Sequence, residues 1–194
     1  MIFKQETQIL KCTFEKEHFS KVKAAFKDRW PVVYIIEDDE KGQAYIGEST
    51  NICTRICDHW NNTERRALKN IYIIFNKVFN KSVILDLEAF LIGYIVADGK
   101  YRLQNGNGGQ HVHNYYLRDE YQREFRHIWQ LLQDEGVVRH GITLLENQDL
   151  FKYSPYKILN LDQFNVAVQI LTDLKYDLGN NNQSRSFIID GGAG

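Results

Sequence analysis

The stretch VVYIIEDDEKGQAYIGE, residues 32–48, decides the fold. It holds two runs rich in β-branched and aromatic residues, 32–37 and 43–48, separated by a charged segment that ends in Gly42. Two such runs joined by a short polar turn with a glycine are typical of a β-hairpin. The sequence therefore predicts two antiparallel strands here.

Helical and extended patterns alternate after this hairpin. The segment STNICTRICDHWNN, residues 49–62, begins with helix-capping residues and then spaces its apolar residues at helical intervals. A third strand is predicted at 71–79, followed by a long apolar helix that Ser82 caps and Gly99 ends. The order strand, strand, helix, strand, helix indicates a mixed α/β (α+β) fold.

The flanking segments have weaker patterns. The predicted elements are an amphipathic helix at 15–28, a Gly/Asn-rich loop at 99–110, a helix at 115–135, a short strand at 142–146, a helix at 160–178 and a last strand at 186–190.

Composition places the chain among ordinary globular proteins. Its 194 residues are 43% hydrophobic and 25% charged, and the formal net charge is −1, so any nucleic-acid surface has to be a local basic patch. Three cysteines, an odd number, indicate reduced thiols and a cytoplasmic protein rather than a disulfide scaffold. The first residues are too polar for a signal peptide, and no apolar run has the length of a membrane span.

Glu88 lies in the most apolar predicted helix, which only Asp86 and Glu88 interrupt. A carboxylate in such a helix is costly unless it is paired, hydrogen-bonded or bound to a metal. Two interpretations remain open: Glu88 binds a divalent metal, or it is a partly exposed residue with a basic partner.

Arg55 and His59 are one helical turn apart in the segment 49–62. A guanidinium can neutralise charge on a phosphoryl group, and an imidazole can transfer a proton or bind phosphate. The alternative is a solvated helix face, which is what such a pair usually forms.

Together these residues resemble the GIY-YIG endonucleases. The motifs VVY (32–34) and YIG (45–47) are similar to the paired motif of that family, and the later positions follow in order. The family's site residues would be Tyr34, Tyr45, Arg55, His59, Glu88 and Asn105. The resemblance covers about residues 31–110, and it implies a small three-stranded, mainly antiparallel sheet flanked by helices, with a mostly helical extension.

The resemblance also implies a role for each residue. Glu88 would hold Mg²⁺ or Mn²⁺, and Arg55 would stabilise the scissile phosphate of DNA. Tyr34 and Tyr45 would line the cleft, one of them as the general base. His59 would assist proton transfer or orient a tyrosine.

Asn105 would hold the geometry of the site. The sequence departs from the family pattern at two places: Val32 and Val33 replace the Gly-Ile of the first motif, and Glu48 follows the second motif where many relatives carry a basic residue. A negative charge there would weaken the attraction of phosphate.

Further substrate contacts are predicted from basic residues and from the second motif. The candidates are Gly47, Lys100, Arg102, Arg123 and Arg126, with His111 and His113 as loop contacts. For the arginines at 123 and 126, a solvated helix face is the alternative. For the two histidines, the alternative is a surface loop.

The segment SFIIDGGAG, 186–194, resembles the first half of a P-loop. Its nucleotide-binding residues would be Gly191, Gly192 and Gly194, with Gln163 reading adenine as in superfamily 1 helicases. A flexible Gly-rich tail is the alternative. Because the P-loop lysine is absent, this chain is predicted to have no ATPase activity, and ATP would serve only a full-length protein.

The predicted organisation has four parts: an N-terminal helical extension at 1–30, a GIY-YIG nuclease domain at 31–110, a helical and strand extension at 111–155, and the start of a truncated ATPase or helicase domain at 156–194. The predicted function is a metal-dependent DNA endonuclease within a nuclease–ATPase protein, with defence against foreign DNA as one possible role. RNA is not excluded as a substrate. The alternative is a catalytically decayed nucleic-acid-binding or regulatory domain of that ATPase.

Overall fold

The computed structural model describes residues 7–26, 29–106, 115–147, 166, 169–174 and 176–177. The strands are β1 (Gln8–Thr13), β2 (Val32–Asp38), β3 (Gln43–Ser49), β4 (Asn70–Phe75) and β5 (Arg102–Leu103). The helices are α1 (Phe19–Ala25), α2 (Ile52–Asn61), α3 (Thr63–Arg66), α4 (Lys81–Asp98), α5 (Arg118–Asp134) and α6 (Ile142–Asn147). The described residues of 166–177 are helical, and the predicted strand at 186–190 lies outside the described residues.

The five strands form one sheet in the order β1-β4-β2-β3-β5. Strands β2 and β3 are the predicted hairpin, and their antiparallel register places Tyr34 opposite Gly47 and Ile36 opposite Tyr45. Strand β4 pairs with the other side of β2. Strand β2, which carries Tyr34, therefore lies at the centre of the sheet. Strand β3, which carries Tyr45, lies next to it, with only β5 beyond.

The prediction of three strands is wrong by two, because β1 and β5 are additional. Strand β1 pairs antiparallel with β4, some sixty residues later in the chain, so no local turn indicates it. Strand β5 has two residues and lies in the segment predicted as a loop, where it pairs in parallel with Gln43 and Ala44. Among the described residues, the strand pairing between β3 and β5 ends at Ala44 and Leu103.

The two faces of the sheet carry separate apolar cores. Alternation along β2 turns Val32, Tyr34 and Ile36 toward α1 and α2, whereas Val33 and Ile35 face α4, α5 and α6. All of these residues are fully buried, which explains why β2 reads as a continuous apolar run rather than an alternating one.

Two local predictions are corrected by the structure. Helix α4 is capped by Asn80, whose side chain accepts a hydrogen bond from the Val83 N–H, and not by Ser82. Gly99 ends α4 with φ of +70°, as predicted. The segment predicted as a strand at 142–146 is helix α6, which buries Leu145 against the core.

Among the described residues, no helix combines the length and the apolar character that crossing a membrane requires.

Candidate active site

Tyr34 and His59 form the buried centre of the site. The Tyr34 hydroxyl oxygen lies 2.6 Å from His59 Nε2, and both side chains are almost completely buried. The sequence predicts a solvated helix face for His59 as one of two alternatives. That face of α2 instead packs on the sheet beside Tyr34, so the histidine is enclosed and its polar atoms are satisfied inside the protein.

Arg55 lies beside the same hydroxyl, one turn earlier on α2. Its Nε donates to the Tyr34 hydroxyl oxygen at 3.4 Å. Burial lowers the pKa of Arg55, but hydrogen bonds with Tyr34 and Tyr45 offset this and leave its pKa raised. The guanidinium therefore reaches both tyrosine hydroxyls and stays charged.

Tyr45 completes the aromatic group. Its ring centre lies 4.8 Å from that of His59 and 6.3 Å from that of Tyr34. Tyr34 is fully buried, whereas 7% of Tyr45 remains exposed. Of the two tyrosines, Tyr45 is therefore the one that solvent reaches.

Arg65 is a contact of this group that sequence reasoning missed. Its Nη1 lies 3.2 Å from His59 Nδ1, and its guanidinium carbon lies 3.9 Å from the centre of the Tyr45 ring. Helix α3 positions it, because Asn62 ends α2 and accepts hydrogen bonds from the Glu64 and Arg65 N–H groups. The Asn-Asn-Thr capping sequence after α2 was the available signal for this turn.

The protonation of the two buried groups follows from their surroundings. Burial first, and then the charges of Arg55 and Arg65, lower the pKa of His59 from 6.5 to about 3. Burial, reinforced by the nearby Tyr45, raises the pKa of Tyr34 well above its ordinary value, although Arg55 opposes the shift. At neutral pH, His59 is a neutral imidazole and Tyr34 a neutral phenol.

Gly47 leaves the space that the Tyr34 hydroxyl occupies. A Cβ at position 47 would overlap this hydroxyl, would lie 2.5 Å from Tyr34 Cζ and would lie 3.0 Å from Tyr45 Cε1. The rings of both tyrosines are buried and cannot withdraw easily, so a glycine is required beside them.

Glu88 approaches this group from α4, on the other side of the sheet. Burial raises the pKa of Glu88 to about 7, and the negative charge of Glu48 adds to the shift. Lys81, Arg55 and the Glu48 backbone N–H act in the opposite direction. Glu88 is thus close to Glu48 in β3, and charged residues on both faces of the sheet affect its pKa.

Glu48, at the end of the second motif, is paired with Lys81 at the start of α4. Glu48 Oε1 lies 2.5 Å from Lys81 Nζ, so this lysine partly balances the negative charge that the sequence placed there. Glu48 Oε2 is buried and has no hydrogen-bond partner among the described residues.

The acidic groups at this edge fit a magnesium-type ion. Mg²⁺ uses one or two carboxylates and takes its other ligands from water and phosphate oxygens. Glu88, whose pKa is raised partly by a second carboxylate, and the unpaired oxygen of Glu48 match that requirement. Among the described residues, no group of three or more His, Cys, Asp or Glu side chains is placed to hold a metal ion.

Asn105 holds the edge of β3 where β5 ends. Its Oδ1 accepts from the Ile46 N–H at 3.0 Å, and its Nδ2 donates to the Ile46 carbonyl at 2.8 Å. The side-chain amide therefore makes two hydrogen bonds with the backbone of Ile46, between Tyr45 and Gly47, where pairing with β5 has ended.

The predicted phosphate contacts have other partners in the structure. Lys100 lies near the hairpin turn, where Nζ is 2.9 Å from Asp39 Oδ1 and donates to the Gly136 carbonyl. Arg126 Nη2 donates to both carboxylate oxygens of Glu146 at 2.9 Å.

Arg102 lies over the ring of Tyr176, and Arg123 is exposed on α5. Their predicted contacts with a substrate stay predictions. Six further candidates lie outside the described residues: His111, His113, Gln163, Gly191, Gly192 and Gly194.

A comparison with known protein families gives a match over the part of the chain that builds the site. Residues 31–101 match the model of the GIY-YIG catalytic domain, an interval that includes every residue of the site except Asn105. No curated protein and no solved structure gives a significant match to the chain. Residues 31–101, the part of the chain that builds the site, are therefore similar to the catalytic domain of an endonuclease family, GIY-YIG.

Proposed function

We propose that this chain is a divalent-metal-dependent endonuclease that hydrolyses phosphodiester bonds of DNA. One observation carries the proposal: Tyr34, His59 and Arg55 form a single hydrogen-bonded group beside Tyr45, and Glu88 lies close enough for the charges of Arg55 and Glu48 to affect its pKa. Such an arrangement provides a cation, hydroxyl groups and a carboxylate around one position, as phosphate hydrolysis requires.

Tyr45 is the better general base of the two tyrosines. Arg55 hydrogen-bonds to it and Arg65 lies over its ring, so negative charge that develops on its hydroxyl is stabilised by two cations. Tyr34 is fully buried and keeps its proton. In this assignment Tyr45 takes a proton from the attacking water, and Tyr34 donates a hydrogen bond.

Arg55 and Glu88 act on the phosphate. The charged guanidinium of Arg55 neutralises the negative charge that increases on the phosphoryl oxygens. Glu88, with Glu48 beside it, would hold Mg²⁺ or Mn²⁺, which supplies Lewis-acid polarisation of the scissile phosphate when bound. His59 is neutral and buried, so its role is to orient Tyr34 rather than to carry the proton.

The proposal for the wider context rests on the sequence alone. The segment 156–194, with its P-loop resemblance, supports a cytoplasmic nuclease joined to an ATPase or helicase domain, and such a fusion would suit defence against foreign DNA. The second candidate function is a decayed domain that binds nucleic acid without cutting it. The departure in the first motif favours this candidate, because Val32 and Val33 replace the Gly-Ile of the family pattern.

The test is cleavage of labelled duplex, single-stranded and branched DNA, and of matched RNA, with Mg²⁺, Mn²⁺ or EDTA. The wild-type protein is compared with Glu88→Gln and with Glu17→Gln, an exposed glutamate far along the chain that serves as the matched control. We expect metal-dependent cleavage of DNA that Glu88→Gln abolishes and Glu17→Gln retains.

Three results would overturn the proposal in different ways. Binding of DNA without cleavage under every condition would favour the decayed domain. Cleavage that is resistant to EDTA would remove the metal from the mechanism. Cleavage of RNA but not of DNA would change the substrate class while leaving the site in place.

A further inference from the structure

Arg65 contacts two groups of the site through two different interactions. Its Nη1 is 3.2 Å from His59 Nδ1, and its guanidinium covers the face of Tyr45 at 3.9 Å from the ring centre. The neighbouring Arg66 on the same short helix is exposed. Arg65 therefore packs within the site, whereas Arg66 faces solvent.

We propose that Arg65 is a positioning residue that fixes His59 in the tautomer with its proton on Nε2, so that His59 donates a hydrogen bond to Tyr34. The proposal rests on the nuclease function proposed above for its effect on cleavage, although the tautomer itself can be observed in the free protein.

The chemistry of the donors leads to this tautomer. A guanidinium has N–H donors and no acceptor, so His59 Nδ1 has to accept the hydrogen bond from Arg65. In a neutral imidazole only one ring nitrogen carries hydrogen, and it is then Nε2. At 2.6 Å from the Tyr34 oxygen, this Nε2–H is the donor of the Tyr34–His59 hydrogen bond.

The direction of this bond determines what Tyr34 can do. Its oxygen accepts from His59 Nε2 and from Arg55 Nε, which uses both lone pairs of a neutral phenol. The O–H of Tyr34 is consequently free of these two partners and can donate to a third group within the site. In the opposite tautomer, His59 Nε2 would accept the Tyr34 proton, and this donor would be lost.

The contact with Tyr45 adds a second effect of the same side chain. A planar guanidinium can stack on an aromatic face while its edge donates to the imidazole, which an ammonium group cannot do in the same geometry. Arg65 thus couples the orientation of the Tyr45 ring to the tautomer of His59.

The experiment reads the tautomer by ¹⁵N NMR of the imidazole nitrogens in the free protein at neutral pH, with His59→Gln used to assign the signals. We expect wild-type His59 to carry its proton on Nε2. Arg65→Leu should shift the proton to Nδ1 or produce a mixture, and Arg66→Leu, the matched control, should leave it on Nε2. Arg65→Lys keeps a donor and should restore the Nε2–H form in part.

Cleavage kinetics provide the second measurement. In Arg65→Leu we expect kcat to fall by roughly tenfold to hundredfold, as for other groups that orient a site residue, with a smaller change in KM. Thermal unfolding identifies any variant that fails to fold, and in that case Arg65→Lys carries the comparison.

A wild-type proton on Nδ1, or a tautomer that Arg65→Leu leaves unchanged, would overturn the proposal. A protein that shows the expected tautomers but cuts no nucleic acid would retain the positioning role of Arg65 and contradict the nuclease function instead. The two proposals therefore fail in distinguishable ways.

Discussion

The hydroxyl of Tyr34 occupies the space where a side chain at position 47 would begin. The two residues face each other across the β2–β3 hairpin. The glycine of the second motif is thus explained by the tyrosine of the first, and the two motifs are parts of one packing arrangement.

Replacement of Gly47 by alanine should displace Tyr34. The new methyl group would overlap the Tyr34 hydroxyl and crowd Tyr45, so the Tyr34–His59 hydrogen bond cannot persist unchanged. We expect the free energy of unfolding to fall by about 1–3 kcal/mol, as for other overpacked cores, and cleavage to be lost. Chemical denaturation and the cleavage assay measure the two effects.

Gly106→Ala is the matched control, because a Cβ at that position meets no atom within 4 Å. If Gly47→Ala retained wild-type stability and cleavage, neither would depend on the space that the Tyr34 hydroxyl occupies beside Gly47.

Replacement of Asn105 by leucine should loosen the edge of β3. The Ile46 N–H and carbonyl would lose both hydrogen bonds from the side-chain amide. Unsatisfied polar groups of this kind cost about 1–3 kcal/mol, so the free energy of unfolding should fall by that amount. Amide exchange at Ile46, followed by NMR, should accelerate more than exchange in β4.

The exposed Asn61 on α2 provides the control variant Asn61→Leu, which should leave Ile46 exchange unchanged. Slow exchange at Ile46 in Asn105→Leu would show that the amide does not hold this edge.

Glu88 should make the protein less stable as the pH rises. Its pKa is about 7 in the folded protein and about 4.5 in the unfolded chain, because burial and then Glu48 disfavour its charge. Below pH 4.5 both states are protonated and there is no penalty. Between pH 4.5 and 7 only the unfolded state ionises, so the free energy of unfolding decreases and then levels off above pH 7.

Glu88→Gln should remove this dependence. We expect the variant to match the wild type near pH 4 and to exceed it by about 1–3 kcal/mol at pH 8 in EDTA, at 1.36 kcal/mol for each pKa unit. Urea denaturation across this pH range measures the difference. Glu48→Gln removes the second cause of the raised pKa of Glu88 and should reduce the effect, while burial retains part of it. A pH-independent difference would contradict the raised pKa.

Addition of Mg²⁺ at pH 8 should stabilise the wild type but not Glu88→Gln, since a ligand stabilises only the state that binds it.

The sequence predicts the central elements because their signals are local. The hairpin follows from two apolar runs and a turn, and α4 from its apolar length and Gly99. Strand β1 escapes prediction because its partner is distant in the chain and its exposed side chains give it a mixed pattern. Helix α6 contains the β-branched residues Ile142 and Thr143, and its packing against α4 and α5 overrides that preference.

The site is predictable to a similar extent. Its tyrosines, Arg55 and Glu88 follow from motif order, whereas the burial of His59 and the contacts of Arg65 depend on how α2 and α3 fold back on the sheet. No spacing rule links Arg65 to a tyrosine twenty residues earlier. Glu48 was expected to repel phosphate, and its pairing with Lys81 depends on a helix that begins on the other face of the sheet.

Strand β5 is only two residues long, and this shortness has an architectural consequence. Because β5 ends at Leu103, the N–H and carbonyl of Ile46 bond to the side chain of Asn105 and not to a further backbone partner. The pairing of β3 at this point depends on one side chain, so a single substitution at position 105 can change the edge of the sheet without altering the sequence of any strand.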